Sequence, residues 1–117
     1  MAESYESLKI PPHSIEAEQS VLGGLLLSGL SNDSSAWDTI ADKVVETDFY
    51  RQDHRLIFRA IADLAEDSKP LDLITVSEWL KQRNELENAG GFVYLATMAK
   101  DTPSAANIKA YAEIVRE

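Results

Sequence analysis

The sequence predicts an all-α domain of about six helices, and three observations carry that reading. Apolar residues recur at helical spacing through most of the 117 residues, strand-like alternation is nearly absent, and clusters of Pro, Gly, Ser and Asp punctuate the periodic segments. The expected architecture is a small globular bundle over 14–88 followed by a C-terminal antiparallel helical hairpin over 89–117, with 1–13 flexible or extended.

Pro11-Pro12 forces extended backbone, after which Ser14 is the expected N-cap of a helix over 15–27. Glu16 and Glu18 fall in its first turn, where acids face the positive helix end, and Val21, Leu22, Leu25 and Leu26 form a buried ridge. Gly23 and Gly24 each cost about 1 kcal/mol in a helix interior. The reason expected for them is the close approach of a neighbouring helix.

Residues 28–35 (SGLSNDSS) read as a loop, with Ser35 capping a second helix. Trp37, Ile40, Ala41 and Val44 follow the i, i+3, i+4, i+7 spacing of one helix face. The turn 46–50 (ETDFY) places Phe49 and Tyr50 ahead of the next helix as lids on the core.

That next helix, 53–65 (DHRLIFRAIADLA), is apolar nearly all round, which marks a central, buried element. Its only polar stripe is Arg55, Arg59 and Asp63, with Arg59 and Asp63 spaced to pair at i, i+4. Residues 67–70 (DSKP) stop it.

Thr75 and Glu78 then form a capping-box pattern, with Ile74 placed to staple against Trp79. Val76, Trp79, Leu80 and Arg83 are the inner face of this fourth helix. A fifth helix over 92–99 puts Phe92, Leu95, Ala96 and Ala99 on one face and Tyr94 and Met98 on another. Ser104 is the expected cap of the last helix, 105–115, in which only Asn107, Lys109 and Glu113 are polar. That is more apolar surface than one packed face requires, so it either serves a partner or packs on the body of the domain.

Composition narrows the function. Lys and Arg number 11 against 20 Asp and Glu, a net charge of −9, and the basic residues are dispersed. Phosphate backbones demand clustered cations, so a protein partner fits better than nucleic acid. There is no Cys, the N-terminus lacks the basic-then-apolar pattern of a signal peptide, and no apolar run approaches membrane-spanning length; a cytoplasmic setting is expected.

Signals for chemistry are missing. No G-x-x-x-x-G-K-[ST] occurs, and Gly23-Gly24 and Gly90-Gly91 lack the setting of a phosphate loop. His13 and His54 are the only histidines and have no metal-ligand spacing; His54 is read as packing or hydrogen-bonding near the start of the central helix. The acidic pairs, Glu16/Glu18 among them, are read as helix-end and solvated-face charges, and Ser14, Ser35 and Ser104 as caps. No catalytic, cofactor-binding or metal-binding residue is assigned.

Four runs together resemble a known family: PPHSIEAEQSVLGGLLL (11–27), DFYRQDHRLIF (48–58), LDLITV (71–76) and AGGFVYLATMAKDTPSAANIKAYAEIVRE (89–117). They are similar to the N-terminal domain of bacterial replicative DNA helicases, the DnaB family, over nearly all the chain after Ile10. The region 28–36 departs by a few extra residues. The resemblance implies an all-helical domain preceding a linker and a RecA-like ATPase domain; the chain ends about where the linker is expected. ATP and Mg would belong to that ATPase domain, and DNA would be engaged only through the full-length hexameric ring.

Implied partners are other copies of the domain, pairing into a trimer of dimers, and the helical C-terminal domain of primase. A helicase loader is a further candidate partner with no residues assigned. The self-association surface is expected on the C-terminal helices, with Phe92, Tyr94, Leu95, Met98, Ile108, Tyr111, Ile114 and Val115 as candidates. The rival reading is a free-standing helical DNA-binding or adaptor module. A helix-turn-helix would need a basic recognition helix, and 75–84 carries only Lys81 and Arg83.

Overall fold

Helix α1 (Ile15–Leu30) packs against each of the other five described helices and is the hub of the domain. The computed structural model describes residues 14–30, 35–102 and 107–116, and all regular structure among them is helical. Ser14 caps α1 as expected, its Oγ accepting the Ala17 amide at 3.1 Å. Val21, Leu22, Leu25 and Leu26 are buried, and the helix runs three residues beyond its expected end at Leu27. The need for small residues is plain at Gly23. A Cβ there would collide with the Thr102 hydroxyl and come within 2.6 Å of the Met98 carbonyl oxygen.

Helix α2 (Ser35–Ile40) is shorter than its periodicity suggests. Ser35 is its first residue rather than its cap, with its carbonyl accepting the Thr39 hydroxyl. Ala41 is exposed, while Val44 still reaches the core from the turn. A 3-10 turn over Glu46–Asp48 follows. Phe49 is fully buried with its ring centroid 5.0 Å from that of Phe58, but its expected companion lid Tyr50 is exposed.

Helix α3 (Gln52–Glu66) covers the helix expected over 53–65 and buries His54, Leu56, Ile57, Phe58, Ala60, Ile61 and Leu64, but α1 and not α3 is the central element. The Arg59–Asp63 pair does not form. Arg59 forks onto Glu46, which the preceding turn brings into reach, and Asp63 accepts the Trp79 indole N–H at 2.8 Å. A Schellman turn closes α3: the Lys69 amide donates to Leu64 O, the Ser68 amide to Ala65 O, and Ser68 takes φ 57°.

Helix α4 (Leu73–Gln82) begins before the predicted capping box. Asp72 is the N-cap, and Thr75 lies inside the helix with its hydroxyl on Asp72 Oδ1. Ile74 is therefore exposed and staples nothing. Val76, Ser77 and Leu80 form the inner face, with Trp79 half-buried. Arg83, expected to face inward, is exposed and lays its guanidinium 3.7 Å from the Trp79 ring centroid. Desolvating a cation without a carboxylate would cost more than this stacking.

Helices α5 (Gly91–Asp101) and α6 (Ile108–Arg116) complete the chain. Each packs on α1, α5 also on α4 and α6 also on α2. The reason lies in their apolar stripes. Leu95, Met98 and Ala99 on α5, and Ile108, Ala112 and Val115 on α6, are all buried within the body of the domain. The proposed cap Ser104 lies outside the described residues.

Candidate functional site: a buried Glu–His–Tyr chain beneath an exposed apolar turn

Two core-facing stripes each carry one ionisable residue. On α1, Glu18 precedes Val21, Leu22 and Leu25 at i+3, i+4 and i+7; on α3, His54 precedes Ile57, Phe58 and Ile61 at the same intervals. Helical geometry therefore turns both inward. Glu18 is 1% exposed and His54 0%. Glu18 is thus not a solvated helix-end charge, as its place in the first turn suggested. Its carboxylate accepts the Tyr50 amide at 2.6 Å, the Arg51 amide at 3.5 Å and His54 Nδ1 at 2.7 Å. It fixes the entry to α3 from another helix, a task Arg51 as N-cap residue cannot perform because it makes no side-chain cap bond.

The other imidazole nitrogen, Nε2, lies 2.6 Å from the Tyr94 hydroxyl on α5. Burial pushes the His54 pKa below its ordinary 6.5, with the Glu18 hydrogen bond opposing. A neutral imidazole has one N–H, and the Glu18 carboxylate can only accept. The proton therefore sits on Nδ1, and Nε2 accepts the Tyr94 O–H. The Tyr94 oxygen in turn accepts the Gln19 amide at 3.2 Å. The His54 and Tyr94 rings stack with centroids 5.9 Å apart and planes 7° from parallel.

Arg51 flanks the chain. Its guanidinium forks onto Asp53, sits 5.5 Å from the Tyr94 ring centroid, and is held above its ordinary pKa chiefly by the Asp53 hydrogen bond. Asp53 also accepts the His54 amide at 2.8 Å. Chemically, the arrangement orders protons from Tyr94 through His54 to Glu18. Its inner end is closed by backbone amides, so it ties three helices rather than delivering a proton to a substrate. Among the described residues no cluster of His, Cys, Asp or Glu could hold a metal ion.

The eight candidates for a partner surface separate by burial. Leu95, Met98, Ile108 and Val115 lie in the core of the single chain. Tyr94 and Tyr111 are half-buried, and Phe92 and Ile114 are exposed. Val93, absent from the candidates, is 76% exposed beside Phe92 at 42%. The helical period could have flagged it: Val93 lies two places from Leu95, on the side of α5 away from the core stripe.

The family model of the DnaB-like helicase N-terminal domain matches residues 10–117. The chain belongs to this family. Among curated relatives of this DnaB-like domain, the replicative DNA helicase DnaB of Pasteurella multocida is 48% identical over 108 residues, 92% of this chain and 22% of the relative. That of Buchnera aphidicola subsp. Acyrthosiphon pisum is 56% identical over 97 residues, 83% of this chain and 20% of the relative. The crystal structure of the N-terminal domain of DnaB helicase from Mycobacterium tuberculosis superposes with a TM-score of 0.81 at 39% identity, covering 92% of this chain and 71% of that one. The chain therefore spans about a fifth of the length of these curated relatives. None of its described helices is long and apolar enough to cross a membrane.

Proposed function

We propose that this DnaB-like N-terminal domain is a non-catalytic module that assembles the replicative helicase and recruits primase. The observation that supports it best is the pair Phe92–Val93, left exposed on the first turn of α5 while the rest of that helix's large apolar residues are covered. Exposed apolar anchors on a rigid turn suit a protein partner. Self-association uses this pair with Ile114 and the half-buried Tyr94 and Tyr111; Leu95, Met98, Ile108 and Val115 support the surface from the core. The net charge of −9 favours a basic protein partner over DNA. DNA unwinding, ATP and Mg are functions of a RecA-like domain in the intact, cytoplasmic hexamer.

Sedimentation velocity over a concentration series, with and without the cognate primase's C-terminal domain, tests the reading. Expected are a dimer that grows with concentration and a faster boundary in the mixture. A monomer at every concentration, unmoved by primase, contradicts it.

A further inference from the structure

Before Tyr94, the turn that carries Phe92 and Val93 is held by backbone alone, the Gly90 amide donating to Glu87 O at 3.0 Å and the Gly91 amide to Leu86 O at 2.9 Å. Gly90 and Gly91 enter α5 with φ of 103° and 84°, and Gly90 as N-cap offers no side chain to the first amides. A Cβ at Gly91 would meet nothing within 4 Å. Phe92 and Val93 point to solvent. The first side chain of the helix with a polar tether to the body is Tyr94, bonded to His54 on α3 and Gln19 on α1. Its ring also fills the space at Gly90, where a Cβ would fall 2.6 Å from Tyr94 Cδ2.

We propose that Tyr94, held by the Glu18–His54 pair, is a positioning residue that fixes the orientation of Phe92 and Val93 for self-association. This rests on the reading of that pair as a self-association surface. Tyr94 acts through its hydroxyl, which faces the buried imidazole and not the partner. Glu18 carries the tie to the entry of α3, so the exposed turn is referenced to two other helices. Pre-organisation of this kind contributes to affinity by lowering the ordering cost of binding.

The test compares dimer dissociation constants of the 117-residue chain by sedimentation equilibrium for the parent, Tyr94→Phe, Phe92→Ala and Ile61→Val. Tyr94→Phe keeps the ring and removes only the inward-facing hydroxyl. Ile61→Val trims the core of α3 and lowers Tm without touching the hydrogen-bond chain. The expected results are a dimer about three- to tenfold weaker for Tyr94→Phe, weaker still for Phe92→Ala, and within about twofold of the parent for Ile61→Val. A Tyr94→Phe dimer as tight as the parent, with Phe92→Ala weakened, overturns the positioning role and leaves the surface standing. Equal weakening by Ile61→Val and Tyr94→Phe overturns it too, because affinity would then follow stability alone. An unaffected Phe92→Ala dimer, or no dimer of the parent, overturns both. Should Tyr94→Phe fail to fold, Gln19→Leu removes the outer hydrogen bond to the same hydroxyl and is read by the same outcomes.

Discussion

His54 shows how one buried side chain makes the stability of this domain depend on pH. Its folded pKa lies below the ordinary 6.5 because burial disfavours the imidazolium. The unfolded chain therefore takes up a proton near pH 6.5 while the folded one does not. Stability is undiminished above that value and falls as pH drops below it. Thermal melts across this range are expected to show the fall in the parent and its absence in His54→Gln; the same slope in both would contradict the assignment. Glu18→Ala strips the acceptor from His54 Nδ1 and from two backbone amides. A loss of about 3 kcal/mol in urea unfolding is expected, and a loss within 0.5 kcal/mol, about the size of a surface change, would show the carboxylate to be dispensable. In the sequence His54 reads as packing or hydrogen-bonding near the start of α3, whereas Glu18, in the first turn of α1, reads as a helix-end charge; the apolar stripe on which each lies was legible. Their pairing was not, because residues 18 and 54 meet only through the packing of α1 on α3.

At the scale of elements, the identity of the helices and most of their buried faces follow from period alone. Their ends do not. Asp72 and Thr75 are both competent N-caps three residues apart, and only packing selects the earlier start. The apolar surplus on α6 was equally ambiguous between a partner and the body of the domain. It is resolved by α1 and α2, which cover Ile108, Ala112 and Val115 and leave Ile114 outside. Gly23 supplies the prediction at this scale. Alanine there would gain about 1 kcal/mol of helix propensity. The new Cβ would overlap the Thr102 hydroxyl and crowd the Met98 carbonyl, which is backbone and cannot swing aside. A net loss of about 2 kcal/mol is expected from denaturant unfolding. A Gly23→Ala chain as stable as the parent would show that α1 and α5 can move apart at little cost.

For the whole molecule, α1 is the centre on which the other helices converge, although the sequence puts α3 in that place. The hub role depends on Gly23 and the four buried residues Val21, Leu22, Leu25 and Leu26, which together let neighbours approach from several sides. That convergence places the Glu18–His54–Tyr94 chain directly under the start of α5. An acidic domain whose apolar exposure includes one pre-organised turn suits association with other proteins. The most direct measurement is sedimentation equilibrium of the chain carrying Phe92→Asp and Val93→Asp together, beside the parent. Two charges on the turn should weaken self-association at least about tenfold while circular dichroism stays unchanged, because neither side chain supports the core. Self-association equal to the parent's in a folded double variant would place the assembly surface elsewhere and contradict the central claim.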